Sequence, residues 1–359
     1  MTISASENIK SITPYVPGKP IEEVERELGI TGSIKLASNE NPLGPSPKAV
    51  AAVKKALEGL NRYPDGSGFY LSQALAKKYG VDLGQIILGN GSNELIELVV
   101  RTFIETGDEI ISADPSFVVY KMITQAAGGT NIIVPCKDMR HDLDAMAERI
   151  TSKTKIVFIA NPNNPTGTMN TTAEMDRFMS RVPGHVIVAV DEAYFEYATH
   201  ADYPDSLDYL KEGRNVLALR TFSKIYGLAG LRIGYGITKP EISELMNKVR
   251  QPFNTNSLGQ IAALAALGDR KHVEKSIALN NEGKQFLYQS FRQLGISYIP
   301  TETNFIMFET AVDGKDVYTA LMKQGVIIRP MGSKRLRVTI GLPEENKRFV
   351  AELEKIVKG

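Results

Sequence analysis

The stretch NVLALRTFSKIYGLAGLRIGYG, residues 215–236, decides how the whole chain is read. It opens with a short apolar run, residues 215–220, of the length and composition of a buried strand. It then turns glycine-rich, as a tight turn does. Lys224 stands between the run and the glycines; Thr221 and Ser223 come just before it, and Arg232 follows. A primary amine can form an imine with an aldehyde, while nearby hydroxyls and a guanidinium can hold a phosphate. A lone lysine in a glycine-rich loop is more often a surface residue, so the weight falls on what the other strand ends supply.

Outward from this stretch the pattern alternates. Apolar strand-like runs at residues 86–89, 109–114, 131–135, 155–160, 185–191 and 215–220 are separated by helix-period runs such as SNELIELVVRTFIETG and AEMDRFMSRV. Short continuous strands between helices indicate βαβ units and a mostly parallel sheet covered on both faces. The first 45 residues are rich in proline and glycine and read as an extended arm carrying one short helix, IEEVERELG. Residues 257–294 read as amphipathic helix, and strand candidates follow in ISYIPTETNFIMFE, GVIIRP and LRVTIG. The fold class is therefore α/β, a large domain with a mostly parallel, doubly covered sheet plus a smaller α+β domain. The expected division is an arm and part of the small domain at 1–44, a large domain at 45–248 and a small C-terminal domain at 249–359.

Composition narrows the function. A chain of 359 residues suggests about two domains at roughly 100–200 residues each. Its 42 basic and 41 acidic residues leave a net charge of +1, with no electrostatic pull toward nucleic acid or a membrane surface. The single cysteine, Cys136, excludes an intramolecular disulfide and fits a reducing cytoplasm. Scattered His141, His185, His200 and His272 form no metal-ligand cluster, so no metal is expected. No apolar run reaches the ~18 residues of a membrane helix, and the first residues lack the apolar core of a secretion signal.

In an open parallel sheet, ligands bind beyond the carboxyl ends of the strands. After residues 86–88 comes GNGS (Gly89 to Ser92) opening a helix, whose glycines permit a turn with backbone N–H groups aimed at an anion. After residues 155–160 comes NPNNPTG, which holds the Asn164 amide in a rigid turn. After residues 185–190 comes Asp191, then Tyr194; a carboxylate at the end of a buried strand is costly unless it meets a cation. Cradle, amide, carboxylate with phenol, and amine with arginine together match pyridoxal 5'-phosphate, whose ring nitrogen is such a cation when protonated.

These motifs identify a family. With TPYVPGKP, ASNENPLGPSP, RYPDGSG, GNGSNELIE, NPNNPTG, VDEAYFEY, TFSKIYGLAGLRIGYG and LRVTIG, nearly the whole chain resembles the fold-type I pyridoxal-phosphate aminotransferases, and among them the histidinol-phosphate branch. The resemblance implies that Lys224 bonds the cofactor and shuttles a proton, and that Asp191 pairs with the ring nitrogen. Asn164 and Tyr194 would bond the ring hydroxyl, and Phe117, a tyrosine in many relatives, would stack on the ring. Gly91, Ser92, Asn93, Thr221, Ser223 and Arg232 would surround the phosphate, with Tyr63 reaching it from a second copy in a homodimer. Arg337 and Arg329 would grip substrate anions, with Tyr15 and Asn39 beside them. Phe253 lies where some relatives place a tyrosine near the substrate phosphate. The implied reaction moves an amino group between histidinol phosphate and 2-oxoglutarate, ping-pong through pyridoxamine phosphate. An aromatic aminotransferase shares nearly every cofactor residue. A threonine-phosphate decarboxylase and a non-enzymatic cofactor-binding protein are the readings of another class.

Overall fold

A computed structural model describes residues 3–358; Met1, Thr2 and Gly359, which the expected domain limits include, lie outside the described residues. In chain order the strands are β1 (Ile34–Lys35), β2 (Ile86–Gly89), β3 (Glu109–Asp114), β4 (Thr130–Pro135), β5 (Thr154–Ala160), β6 (Ile187–Asp191) and β7 (Val216–Thr221). They continue as β8 (Gly234–Ile237), β9 (Ser297–Tyr298), β10 (Phe305–Glu309), β11 (Val326–Ile327), β12 (Arg329–Pro330) and β13 (Arg335–Thr339). A seven-stranded sheet runs β2-β8-β7-β6-β5-β3-β4. Its neighbours pair in parallel, except that β8 is antiparallel to both β7 and β2.

Both faces of this sheet are covered, which is why its strands read as continuous apolar runs. Alternate residues of β5 point to opposite sides. Ile156 and Phe158 pack with Ile96 and Val99 of the helix Ser92–Phe103. Val157 and Ile159 pack with Met175 and Phe178 of the helix Thr172–Arg181. Every residue of β7 is buried.

A four-stranded antiparallel sheet, β12-β13-β10-β9, forms a second layer further along the chain. Phe308, Leu336 and Val338 on it pack with Leu287 and Phe291 of the helix Arg270–Gln293 and with Phe349 and Leu353 of the helix Pro343–Lys358. The helix Ser257–Leu267 does not lie with this layer. Its Ala262, Ala263 and Ala266 pack in the same cluster as Leu71, Leu75, Leu88 and Tyr235, against the seven-stranded sheet.

Several stretches differ from what their residues suggest. GYGI, read as part of a glycine-rich turn, is β8, an interior strand. Glycine normally weakens a strand; here the backbone needs it, because a Cβ on Gly234 would fall 2.5 Å from Ser92 N. The end of the expected large domain holds the helix Pro240–Val249, whose Ile242 and Met246 join the core beneath the sheet. Within the arm, Ile34–Lys35 is a strand after all, because Val326–Ile327 pairs with it in parallel. The short helix in the arm forms as its residues predict: Ile21–Leu28 ends on Gly29 in the left-handed region.

A close approach of two backbones locks the arm onto the Lys224 loop. A Cβ on Gly227, which has φ +68°, would meet Gly44 O at 2.1 Å and Pro45 Cα at 2.8 Å. Gly227→Ala should therefore cost well beyond the roughly 1–2 kcal/mol of left-handed strain alone. Gly29→Ala, at φ +65° with nothing within 4 Å, should cost only that strain. Thermal unfolding of the two variants measures the difference; equal losses would mean that the arm yields freely.

Candidate active site

The carboxyl ends of β2, β5, β6 and β7 converge on one cavity of about 170 Å3. Ser92, Asn93, Phe117, Asn164, Asp191, Tyr194, Thr221, Ser223, Lys224 and Arg232 all line it, so residues read from five separate motifs meet there. The cradle is built by backbone proximity. Gly91, at φ +79°, precedes the helix Ser92–Phe103, and a Cβ on it would fall 2.6 Å from Arg232 Nη2. Arg232, itself in the left-handed region, donates from Nη1 to Ser223 Oγ at 3.3 Å, and Ser223 N donates to Thr221 Oγ1 at 3.1 Å. Hydroxyls, guanidinium and the open end of a helix thus surround a space a side chain would fill, which suits a phosphate.

Asp191, at the end of β6, is buried. Tyr120 OH donates to its Oδ2 at 2.7 Å and Ala193 N to its Oδ1 at 3.2 Å. Burial raises the Asp191 carboxyl above the ordinary carboxylate range, while the two hydrogen bonds and the Lys224 charge pull the other way. Asp191 forms no ion pair among the described residues, and the Lys224 charge is the cation that acts on it from within the cavity.

Lys224 is half-buried, with Nζ donating to Ser38 O at 3.3 Å and lying 5.6 Å from the Tyr194 ring centroid. Burial, reinforced by the Arg337 and Arg232 charges, pushes its amine down to about 8. Tyr194, pushed up to about 12 by burial, keeps its proton near neutral pH. Its OH accepts a hydrogen bond from Asn39 Nδ2 at 2.8 Å, so Asn39 reaches the site through Tyr194.

A second cavity of about 310 Å3 shares Phe117 and Asn164 with the first, and Tyr15, Arg329 and Arg337 line it. Arg337 is buried; it donates from Nη1 to Asn164 Oδ1 and from Nη2 to Ala37 O at 2.8 Å, and its Nε has no partner among the described residues. Burial lowers its pKa. A buried guanidinium held only by neutral oxygens, with one donor unclaimed, is suited to an incoming anion. Arg329 donates from Nη2 to Val16 O at 2.8 Å and lies 5.4 Å from the Tyr15 ring centroid, which ties the arm to β12.

The single chain does not bring Tyr63 to either cavity. Tyr63 is 84% exposed and stacks on Phe253, ring centroids 4.9 Å apart. Sequence reasoning also missed Tyr120. Tyr120 lies in the first turn of the helix Val119–Ala126, just after Phe117, and its ring meets the Phe117 ring edge-on at 5.6 Å.

The family model "Aminotransferase class I and II" matches residues 31–353, and the chain belongs to that family. The histidinol-phosphate aminotransferase of Moorella thermoacetica is 52% identical over 356 residues, spanning 98% of this chain and 92% of that protein. Histidinol-phosphate aminotransferase 2 of Hydrogenovibrio crunogenus is 51% identical, spanning 98% and 95%. Among solved structures, histidinol-phosphate aminotransferase from Sinorhizobium meliloti in complex with pyridoxal-5'-phosphate superposes with a TM-score of 0.92 at 28% identity, covering 99% of this chain and 97% of that one. The fold is that of the fold-type I aminotransferases.

The Tyr120–Asp191 bond has a pH signature. A carboxyl raised in the folded state loses its stabilising contribution as pH rises from the ordinary carboxylate range through the raised value. A hydrogen bond to the ionised carboxylate is worth about 1.5–3 kcal/mol, against about 0.5–1.5 kcal/mol for one to the neutral carboxyl. Tyr120→Phe should therefore lower the melting temperature more at high pH, where Asp191 is ionised, than at low pH, where it is protonated. A loss independent of pH would separate Tyr120 from Asp191.

Proposed function

We propose that this aminotransferase carries pyridoxal 5'-phosphate and moves the amino group between histidinol phosphate and 2-oxoglutarate, yielding imidazole acetol phosphate and glutamate. The observation that carries the cofactor assignment is the meeting of Lys224 and Asp191 in one cavity that ends in the Gly91–Arg232 cradle. Relatives at about half identity over nearly full length support the substrate and favour neither the aromatic nor the decarboxylase reading.

Each residue would have one task. Gly91, Ser92, Asn93, Thr221, Ser223 and Arg232 would hold the phosphate. Asp191, whose ionised form accepts hydrogen bonds from Tyr120 OH and Ala193 N, would face the ring nitrogen. Asn164 and Tyr194 would orient the ring hydroxyl, and Phe117 would cover the ring face. When bound, the cofactor supplies an aldehyde that condenses with amines and a ring that withdraws electrons from the substrate Cα. Lys224, titrating at about 8, can accept a proton at Nζ and return it near neutral pH. Ser38 O, which holds Nζ, limits where that proton can go. Arg337 would take an α-carboxylate or a phosphate ester, with Arg329 adding a second charge at the mouth and Tyr15 walling it.

The test is a half-reaction. Histidinol phosphate should bleach the visible absorbance of the loaded enzyme far faster than phenylalanine, with the rate rising with pH toward about 8 as Lys224 loses its proton. Lys224→Ala should abolish this while retaining non-covalent cofactor. Equal rates with the two amines would remove the substrate assignment, and turnover by Lys224→Ala the mechanistic one.

The working form would be a cytoplasmic homodimer. Exposed Tyr63, Phe69, Tyr70 and Phe253 support this, being large apolar groups close to one another in the chain or stacked. No helix among the described residues is long and apolar enough to cross a membrane. The division into domains would fall within residues 268–294, since the preceding helix packs on the seven-stranded sheet. Tyr63→Phe should loosen cofactor retention on dialysis without changing the mass in solution. A fully active monomer would refute the shared site.

A further inference from the structure

We infer that the buried Arg220–Glu192 ion pair is a positioning device that fixes the spacing of Asp191 and Lys224; the inference rests on the cofactor assignment above. Arg220 and Glu192 are each 1% exposed, and Arg220 Nε donates to Glu192 Oε2 at 2.7 Å. Neither lines the cavity. Side chains alternate along a strand, so Glu192 points behind the sheet where Asp191 points into the site, and Arg220 points behind it where Thr221 turns toward the cradle.

The location gives the pair its role. The β6–β7 ladder ends at Asp191 paired with Leu219, and Glu192 N then donates to Leu219 O at 2.8 Å. The ion pair ties β6 to β7 one position further on, between Glu192, just after Asp191, and Arg220, four residues before Lys224. It is itself held from every side. Ser206 Oγ donates to Glu192 Oε1 at 2.7 Å, Arg220 Nη2 donates to Asp205 Oδ1 at 3.3 Å, and the guanidinium lies 3.7 Å from the Phe195 ring centroid. Arg220 Nη1 nevertheless has no partner among the described residues. A buried ion pair is a poor source of stability, because desolvation offsets the attraction and apolar replacements of similar volume are often neutral or better. A rigid, charge-assisted bond between two strand ends instead defines a geometry.

The test replaces both members of the pair, Arg220→Met with Glu192→Leu, which leaves Asp205, 44% exposed at its side chain, to be solvated by water. The double variant should melt close to the parent. Its kcat should fall about tenfold or more while KM for either substrate changes less than about threefold, the split expected when reacting groups are displaced and not removed. The visible circular dichroism of the bound cofactor, recorded without substrate, should weaken as its orientation loosens. Parent-like kcat and dichroism in the folded double variant would overturn the inference. If that variant does not fold, Glu192→Gln decides, since it keeps the shape and removes the charge: a lower kcat with weakened dichroism supports positioning, and parent values overturn it. A parent enzyme that shows the cofactor band but no reaction with histidinol phosphate would count against the substrate assignment alone.

Discussion

The arrangement depends on burying cations without giving them counter-charges. Lys224 and Arg337 face carbonyl and amide oxygens, Ser38 O, Ala37 O and Asn164 Oδ1, where a stable protein core would supply carboxylates. Burial and the Arg337 charge lower the Lys224 pKa, burial and the Arg329 charge lower that of Arg337, and the one carboxylate in the cavity, Asp191, accepts hydrogen bonds from Tyr120 and a backbone amide. Such a cavity is short of negative charge and of one ring-sized body. A phosphorylated pyridine and an anionic substrate supply both.

Tight backbone contact makes this possible. Gly91, Gly227 and Gly234 stand where a single Cβ would strike Arg232, the arm or Ser92. Those approaches press the helix Ser92–Phe103, the Lys224 loop and the arm into one small volume. The arm then serves two parts of the molecule: Ile34–Lys35 pairs with β11, while Ser38 and Asn39 reach Lys224 and Tyr194. Arg337 and Asn164, from distant parts of the chain, meet across the same seam.

The chemistry was legible because each group sits at the end of an apolar strand, and burial on both faces of a parallel sheet leaves that pattern plainly in the residues. Asp191, Asn164, Lys224 and the GNGS cradle were all readable in this way. GYGI was not: its glycines look like a turn, and only the position of Ser92 shows why a central strand lacks side chains there. Nor was Tyr120, whose role exists only once the helix Val119–Ala126 packs on the sheet and its Tyr120 ring, stacked on Phe158 of β5, reaches Asp191.

By itself, the sequence determined the layered α/β architecture, the set of reactive groups and their order on the strands, since periodicity and strand-end chemistry are local properties. Tertiary structure decided which of those groups share a cavity and which ionise easily. It also placed Tyr63 on the surface of the single chain, away from both cavities. These depend on desolvation and on distances between residues far apart in the chain, which no local pattern encodes.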